Sequence, residues 1–256
     1  MTSETRQDRL YGKILLQSVW FKHSFLREYC QYSETLFEKE VEHDRELFER
    51  HNTAEHDVNS PGYDRKPSKV FFSQADEFRK TLRRSNFITA FSFWESQYRN
   101  YAEWILISHN RRSGSMTGIG LTDIKGESVS DRYRTILVQH IGVTDDQALW
   151  TVLDDLSVVR HQIVHGVGEL STAEIEKAAA ERYEHLVPVH DRLIEVLNKY
   201  EEKGLSMDKN GDILIDPSLI EYLIDTTEAY MNDVLTTYIE HLEEPIKSAD
   251  TGENRR

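Results

Sequence analysis

Between Leu10 and His51 apolar side chains recur at three- and four-residue steps, at Ile14, Leu15, Val19, Phe25, Leu26, Tyr29, Leu36 and Phe37, with no proline among them. A period near 3.6 gathers such residues on one side of an α-helix and scatters them over both faces of a strand, so a long helix is the expected fold of this segment. Its second half is charged: Glu38, Glu40, Glu42, Asp44, Glu46 and Glu49 alternate with Lys39, Arg45 and Arg50. That half reads as an exposed extension ending in the loop Asn59-Ser60-Pro61-Gly62, after which an antiparallel return is expected.

The return runs from about Lys69 to Ser108, with one apolar stripe through Phe71, Ala75, Phe78 and Leu82 that continues through Ile88, Phe91, Trp94, Tyr98, Ala102 and Ile105. Helical spacing makes this stripe core rather than a platform for bases. Residues 109–125 contain Gly114, Gly118 and Gly120 and read as a connection; Gly118-Ile119-Gly120 completes neither a dinucleotide fingerprint nor a phosphate loop. A short helix is expected near Asp131 to His140. A stronger one begins around Asp145, carries Leu149, Val152, Leu153, Leu156, Val159 and Ile163, and stops at Gly166 and Gly168.

Ser171-Thr172-Ala173-Glu174 reads as a capping box opening a further helix, which Pro188 should kink or divide. Leu205-Ser206-Met207 and Ile213-Leu214-Ile215 flank Asp208-Lys209-Asn210-Gly211-Asp212, a β-hairpin signature. A calcium loop would need glycine at its sixth position and a glutamate at its twelfth, and the spacing from Asp208 fails. Asp216-Pro217 then opens a final helix through Leu219, Leu223, Tyr230, Val234, Tyr238 and Leu242, followed by a loose tail after Pro245.

Composition narrows the class. A single cysteine, Cys30, rules out an intramolecular disulfide and a four-thiolate zinc site. With Met1 to Arg9 polar and no apolar run of membrane-spanning length, cytoplasmic residence is the expectation. The formal net charge of -14 repels polyanions at long range, so any contact with nucleic acid has to be local. Arg79, Lys80, Arg83, Arg84 and the pair Arg111, Arg112 are candidates for it, although a basic run on a helix is more often a solvated face.

The chemistry concentrates in Arg160-His161-Gln162-Ile163-Val164-His165-Gly166. Arginine is always cationic and forks toward phosphate oxygens, while histidine moves protons near neutral pH. On an ideal helix Arg160 and His165 stand about 140° apart, so their convergence requires an unwound last turn or a partner chain. In RNA the 2′-hydroxyl is an internal nucleophile, and an enzyme need only move protons and stabilise charge on the phosphate. His165 then fits the general acid or base, Arg160 the stabilising cation and His161 a supporting or second proton-transfer role, with no metal or other cofactor required. Two readings compete. An arginine and a histidine near a helix end also satisfy terminal carbonyls in a non-catalytic helical interaction module. His161 and His165, at i and i+4, could alternatively hold zinc, with Glu169 as a third ligand; Gln162 stands where the metalloprotease pattern needs its glutamate base.

The segment Leu156 to Gly166 resembles the signature of the HEPN superfamily, helical domains carrying an arginine, four to six residues, and a histidine; here the spacing is four. His161 occupies the position where that family often has a polar residue. Asn86-Phe87-Ile88-Thr89-Ala90-Phe91-Ser92-Phe93-Trp94-Glu95 resembles the aromatic-acidic helix that packs beside the signature, with Glu95 placed to orient Arg160. By order of elements the resemblance covers roughly Phe71 to Leu242. It implies an all-α, HEPN-like bundle with a long N-terminal helical hairpin and a small β-hairpin near the C-terminus. It also implies a metal-independent endoribonuclease, homodimeric across a shared cleft, of a kind often used in toxin or anti-phage systems beside an antitoxin or companion protein. The corresponding division is residues 1–68 as N-terminal helix and loop, 69–245 as the helical domain and 246–256 as a tail.

Overall fold

A computed structural model describes residues 3–54, 69–113, 124, 128–165, 187–208 and 211–242, with the backbone alone at 3, 4, 48, 51–54, 69–73, 165 and 187–190. The fold is all-α with one small β-hairpin. Its elements are α1 (Ser3–Ala54), α2 (Lys69–Ser113), α3 (Val129–Thr135) running into a π-turn (Ile136–Ile141), α4 (Gln147–His165), α5 (Val187–Lys199), β1 (Leu205–Met207), β2 (Ile213–Ile215) and α6 (Pro217–His241). Among the described residues no helix is long and apolar enough to cross a membrane. The loop at Asn59–Gly62, the glycines Gly114, Gly118, Gly120, Gly166 and Gly168, the capping box at Ser171 and the tail after Pro245 lie outside the described residues.

The chain forms two compact units, each assembled from segments distant in sequence. The first comprises Met1–His23, Ser92–Val152 and Thr226–Arg256. In it α1 and α2 run antiparallel: Ser18 meets the Tyr101 hydroxyl at 3.0 Å, and one turn on Lys22 donates to Gln97 at 2.5 Å. Gly12 permits close approach there, since a Cβ would stand 2.9 Å from Ile239 and 3.0 Å from Trp104. The core is aromatic, with Tyr98 and Trp150 6.1 Å apart and Trp150 and Tyr230 5.5 Å apart between ring centres. Over Trp150 lies the Arg134 guanidinium, 4.8 Å from the ring centre and hydrogen-bonded to Asp145 at 2.6 Å. The Tyr230 hydroxyl donates to the same carboxylate at 2.9 Å. A buried ion pair is tolerable only when its hydrogen-bonding capacity is filled in this way.

The second unit comprises Ser24–Phe91 and Leu153–Asp225. Here too α1 and α2 run antiparallel, through Ser33 with Asn86 at 2.9 Å, Glu34 with Arg83 at 2.5 Å and Glu38 with Arg79 at 2.7 Å. Lys80 bridges to Asp208 at 3.2 Å, and Arg84 donates to the Ile213 carbonyl at 2.9 Å and to Asp212 at 3.1 Å. The basic run of α2 is therefore engaged with carboxylates and backbone of its own unit. The hairpin pairs Leu205 with Ile215, Ser206 with Leu214 and Met207 with Ile213. At its root Gly204 has φ +94°, and a Cβ there would meet Asp216 and Ser218 at 2.6 Å.

Several details differ from the sequence reading. Phe78, expected in the α2 stripe, is 66% exposed. The rest of the expected stripe is largely in place, with Ala75, Phe91, Trp94, Tyr98, Ala102 and Ile105 buried, Phe87 and Ala90 joining them and Ile88 half-buried. Phe78 lies next to Arg79, whose engagement with Glu38 fixes which side of this stretch faces α1. The helix α2 also continues through Ser113, so the first residues of the expected connection are helical. The short helix starts at Val129, because the Ser128 hydroxyl accepts from the Asp131 amide at 3.0 Å. Pro188 sits in the first turn of α5, where its missing N–H costs nothing, and the stretch before it that it was expected to kink or divide lies outside the described residues.

Candidate functional site

The segment singled out by sequence occupies the end of α4. That helix is started by Asp146, whose carboxylate accepts from the amides of Ala148 at 2.8 Å and Leu149 at 3.2 Å. Such a cap satisfies two of the donors that the first turn leaves free. In the second unit Leu153, Leu156 and Val159 are buried, so they form the inner face, and Asp154 and His161 are exposed. The outer flank is tied to the segment around α5. Arg192 pairs with Asp154, and Asp155 accepts from Lys199 at 2.6 Å and from the Tyr200 hydroxyl at 3.0 Å. Burial and the adjacent carboxylate push the Tyr200 phenol well above its ordinary range.

On this scaffold Arg160 follows the buried Val159 and is half-buried, whereas His161 is exposed to solvent. The stem of Arg160 is thereby held by the unit, and the neighbouring His161 imidazole stands toward solvent. Helical geometry persists through His165, the last residue of α4. Within α4, then, Arg160 and His165 keep the separation of about 140° that regular helix imposes, and His161 and His165 share one face. The side chain of His165, together with Gly166 and Glu169, lies outside the described residues. Glu95 belongs to the first unit, half-buried on α2 beside the buried Trp94.

No family model, curated protein or solved structure matches the chain.

Asp155, Asp191, Arg192, Glu195, Val196 and Lys199 line an open depression in the second unit. The cations there already face carboxylates, with Lys199 on Asp155 and Arg192 on Asp154 and Asp155. Among the described residues no three His, Cys, Asp or Glu side chains gather as metal ligands. Sequence reading did not single out Asp155, which anchors the outer flank of α4. Its partners Lys199 and Tyr200 lie 44 and 45 residues further along the chain, and no local pattern marks so distant a contact.

Proposed function

We propose that the protein is a metal-independent endoribonuclease of HEPN type, cleaving RNA by attack of the 2′-hydroxyl on the adjacent phosphate. One observation carries this reading: a half-buried arginine and a solvent-exposed histidine stand side by side near the end of a well-anchored helix that continues to a second histidine. In this mechanism the Arg160 guanidinium stabilises the charge that grows on the phosphate oxygens. His165 takes the 2′-hydroxyl proton or supplies one to the leaving 5′-oxygen, and His161 assists or performs the other transfer. Because α4 keeps Arg160 and His165 on different sides, a cleft lined by both needs two copies of the motif. A homodimer supplies them and separates acid from base. The companion protein, the antitoxin or anti-phage setting and cytoplasmic residence belong to the same proposal.

The test is RNA cleavage by purified protein in excess chelator. Wild type should leave 2′,3′-cyclic phosphate ends, and Arg160→Ala and His165→Ala should each lower the rate by about a hundredfold or more. Equal cleavage by all three proteins would remove these residues from any site, and no cleavage by any would favour the second reading.

That second reading, a non-catalytic interaction module, is favoured by the surface of α1. In the first unit this helix exposes Leu10, Ile14 and Phe21, and in the second Phe25, Tyr29, Tyr32 and Leu36. Exposed aromatics repeated at helical spacing are what a helix-recognising partner reads. A module of this kind keeps its partner when Arg160 and His165 are both replaced.

A further inference from the structure

Within the second unit α1 has two apolar sides. On one, Leu26, Cys30 and Val41 are buried, and Ser33 and Glu34 beside them meet α2. On the other, Phe25, Tyr29, Tyr32 and Leu36 are 68%, 50%, 68% and 46% exposed. At about 100° per residue these four fall within about 60° of one another, and roughly 90–130° round the helix from Leu26 and Cys30. One apolar side is enough to hold a helix in its own unit. The second does not serve that purpose, being open to solvent.

Single apolar residues on a surface mean little, but these four advance by four, three and four residues, the steps of the a and d positions along a helix-pairing seam. None of them is charged, in a chain of which 30% is. Lys39, at the next seam step, is exposed and closes the seam. Three of the four are aromatic, the type enriched at the centre of interfaces, and the tyrosines can keep their hydroxyls at the wet edge.

The steps read the same from either end, which makes the seam its own complement. Laid antiparallel about the midpoint between Cys30 and Gln31, a second copy sets Phe25 against Leu36 and Tyr29 against Tyr32, so the large end meets the small one and the layers stay even. Parallel pairing would put Phe25 on Phe25 and Leu36 on Leu36, a wide layer at one end and a narrow one at the other. The area suits a reversible pair. At roughly 200 Å² for a whole aromatic side chain the three rings offer about 370 Å², and with Leu36 and the flanks of the seam two copies bury about 1,000 Å², the lower bound for a specific interface. We propose that the protein forms a reversible homodimer through this seam, with α1 packed antiparallel on α1 of a second copy. The ribonuclease reading asks for a second copy without naming the surface that holds it; this inference names one, rests on α1 alone and is decided without reference to RNA cleavage.

The experiment is analytical ultracentrifugation of the full-length protein. Wild type should pass from the 30.0 kDa monomer to twice that mass as its concentration rises through the micromolar range. Phe25→Glu combined with Tyr32→Glu should raise the dissociation constant by about a hundredfold or more. The helical circular dichroism spectrum should not change, because both side chains are already exposed. Phe78→Glu, which charges an exposed ring on α2 of the same unit, should leave the dissociation constant where it was. Orientation is read by cysteine pairing, for which the buried Cys30 leaves wild type as a blank. Under mild oxidation a mixture of Phe25→Cys and Leu36→Cys proteins should give a cross-linked dimer of the two, and neither protein alone should. Leu36→Cys linked to itself without the mixed product would overturn the antiparallel assignment. The proposal falls if wild type stays monomeric throughout, whether its own chain or a partner helix then covers the seam. It falls equally if the dimer survives Phe25→Glu with Tyr32→Glu, or if Phe78→Glu weakens it as much.

Discussion

Gly204 shows how one residue can be indispensable without leaving a mark in the sequence. It stands between Lys203 and Leu205 in no recognisable turn signature, yet it holds φ +94° and takes the backbone of the hairpin root within 2.6 Å of where Asp216 and Ser218 would meet a Cβ. Its carbonyl accepts from the Asp216 amide at 2.8 Å, tying the start of α6 to the residue that leads into β1. Alanine there incurs backbone strain of about 1–3 kcal/mol and a steric clash besides. Urea denaturation of Gly204→Ala should show a loss of at least that size, and a midpoint equal to wild type would disprove the account. Phe78 is the converse case, since its helical spacing pointed to the core. What turned it outward was the engagement of the neighbouring Arg79 with Glu38 and Asp76, three-dimensional information that an apolar stripe does not contain.

At the scale of elements the sequence was most readable where the deciding interactions are local. The pattern from Leu10 to His51 became the single helix α1, and the strands flanking Asp208 to Asp212 were paired as the turn chemistry suggested. Asp145 and Asp146 show the limit of such reading. Both lie at the expected start of α4, but only the structure divides their work: Asp146 caps the helix, and Asp145 turns into the first unit to meet Arg134 and Tyr230. Replacing Asp146 by alanine should therefore cost about 1 kcal/mol, as N-caps do, while serine should recover most of it. A larger deficit shared by alanine and serine in thermal unfolding would assign Asp146 a different job. For the Arg160 segment, the residue types and their place at a helix end were legible, since both are local. That Glu95 belongs to the other compact unit was not legible, because sequence spacing says nothing of that division.

For the molecule as a whole, buried tyrosines hydrogen-bonded to carboxylates in each of the two units yield a pH dependence of definite sign. Tyr133 donates to Glu103 at 2.6 Å, Tyr230 to Asp145 at 2.9 Å and Tyr200 to Asp155 at 3.0 Å. Ionising any of these phenols sets a phenolate against a carboxylate in a poorly solvated place. Burial first, then the neighbouring carboxylate, raises Tyr133 to about 12, and burial raises Tyr98, Tyr200, Tyr230 and Tyr238 in the same direction. In the unfolded chain these groups return to about 10. Below that value both states hold the proton and the stabilisation is complete. As pH rises from about 10 toward the folded values, the unfolded state loses protons that the folded state retains, and stability falls. Lys80, raised by Glu77 and Asp208, adds a loss of the same sign as it deprotonates. Absorbance near 295 nm separates the two, because it reports phenolate alone. The expected outcome is a native titration curve in which a group of the twelve tyrosines ionises only together with unfolding, and a denaturation midpoint that falls steeply above about pH 10. Tyr133→Phe should be somewhat less stable at neutral pH, having lost the bond to Glu103, and should lose less between pH 9 and 11. A midpoint that stays level across that interval in wild type, with all tyrosines titrating near their free value, would mean that these phenols are open to solvent in the folded protein.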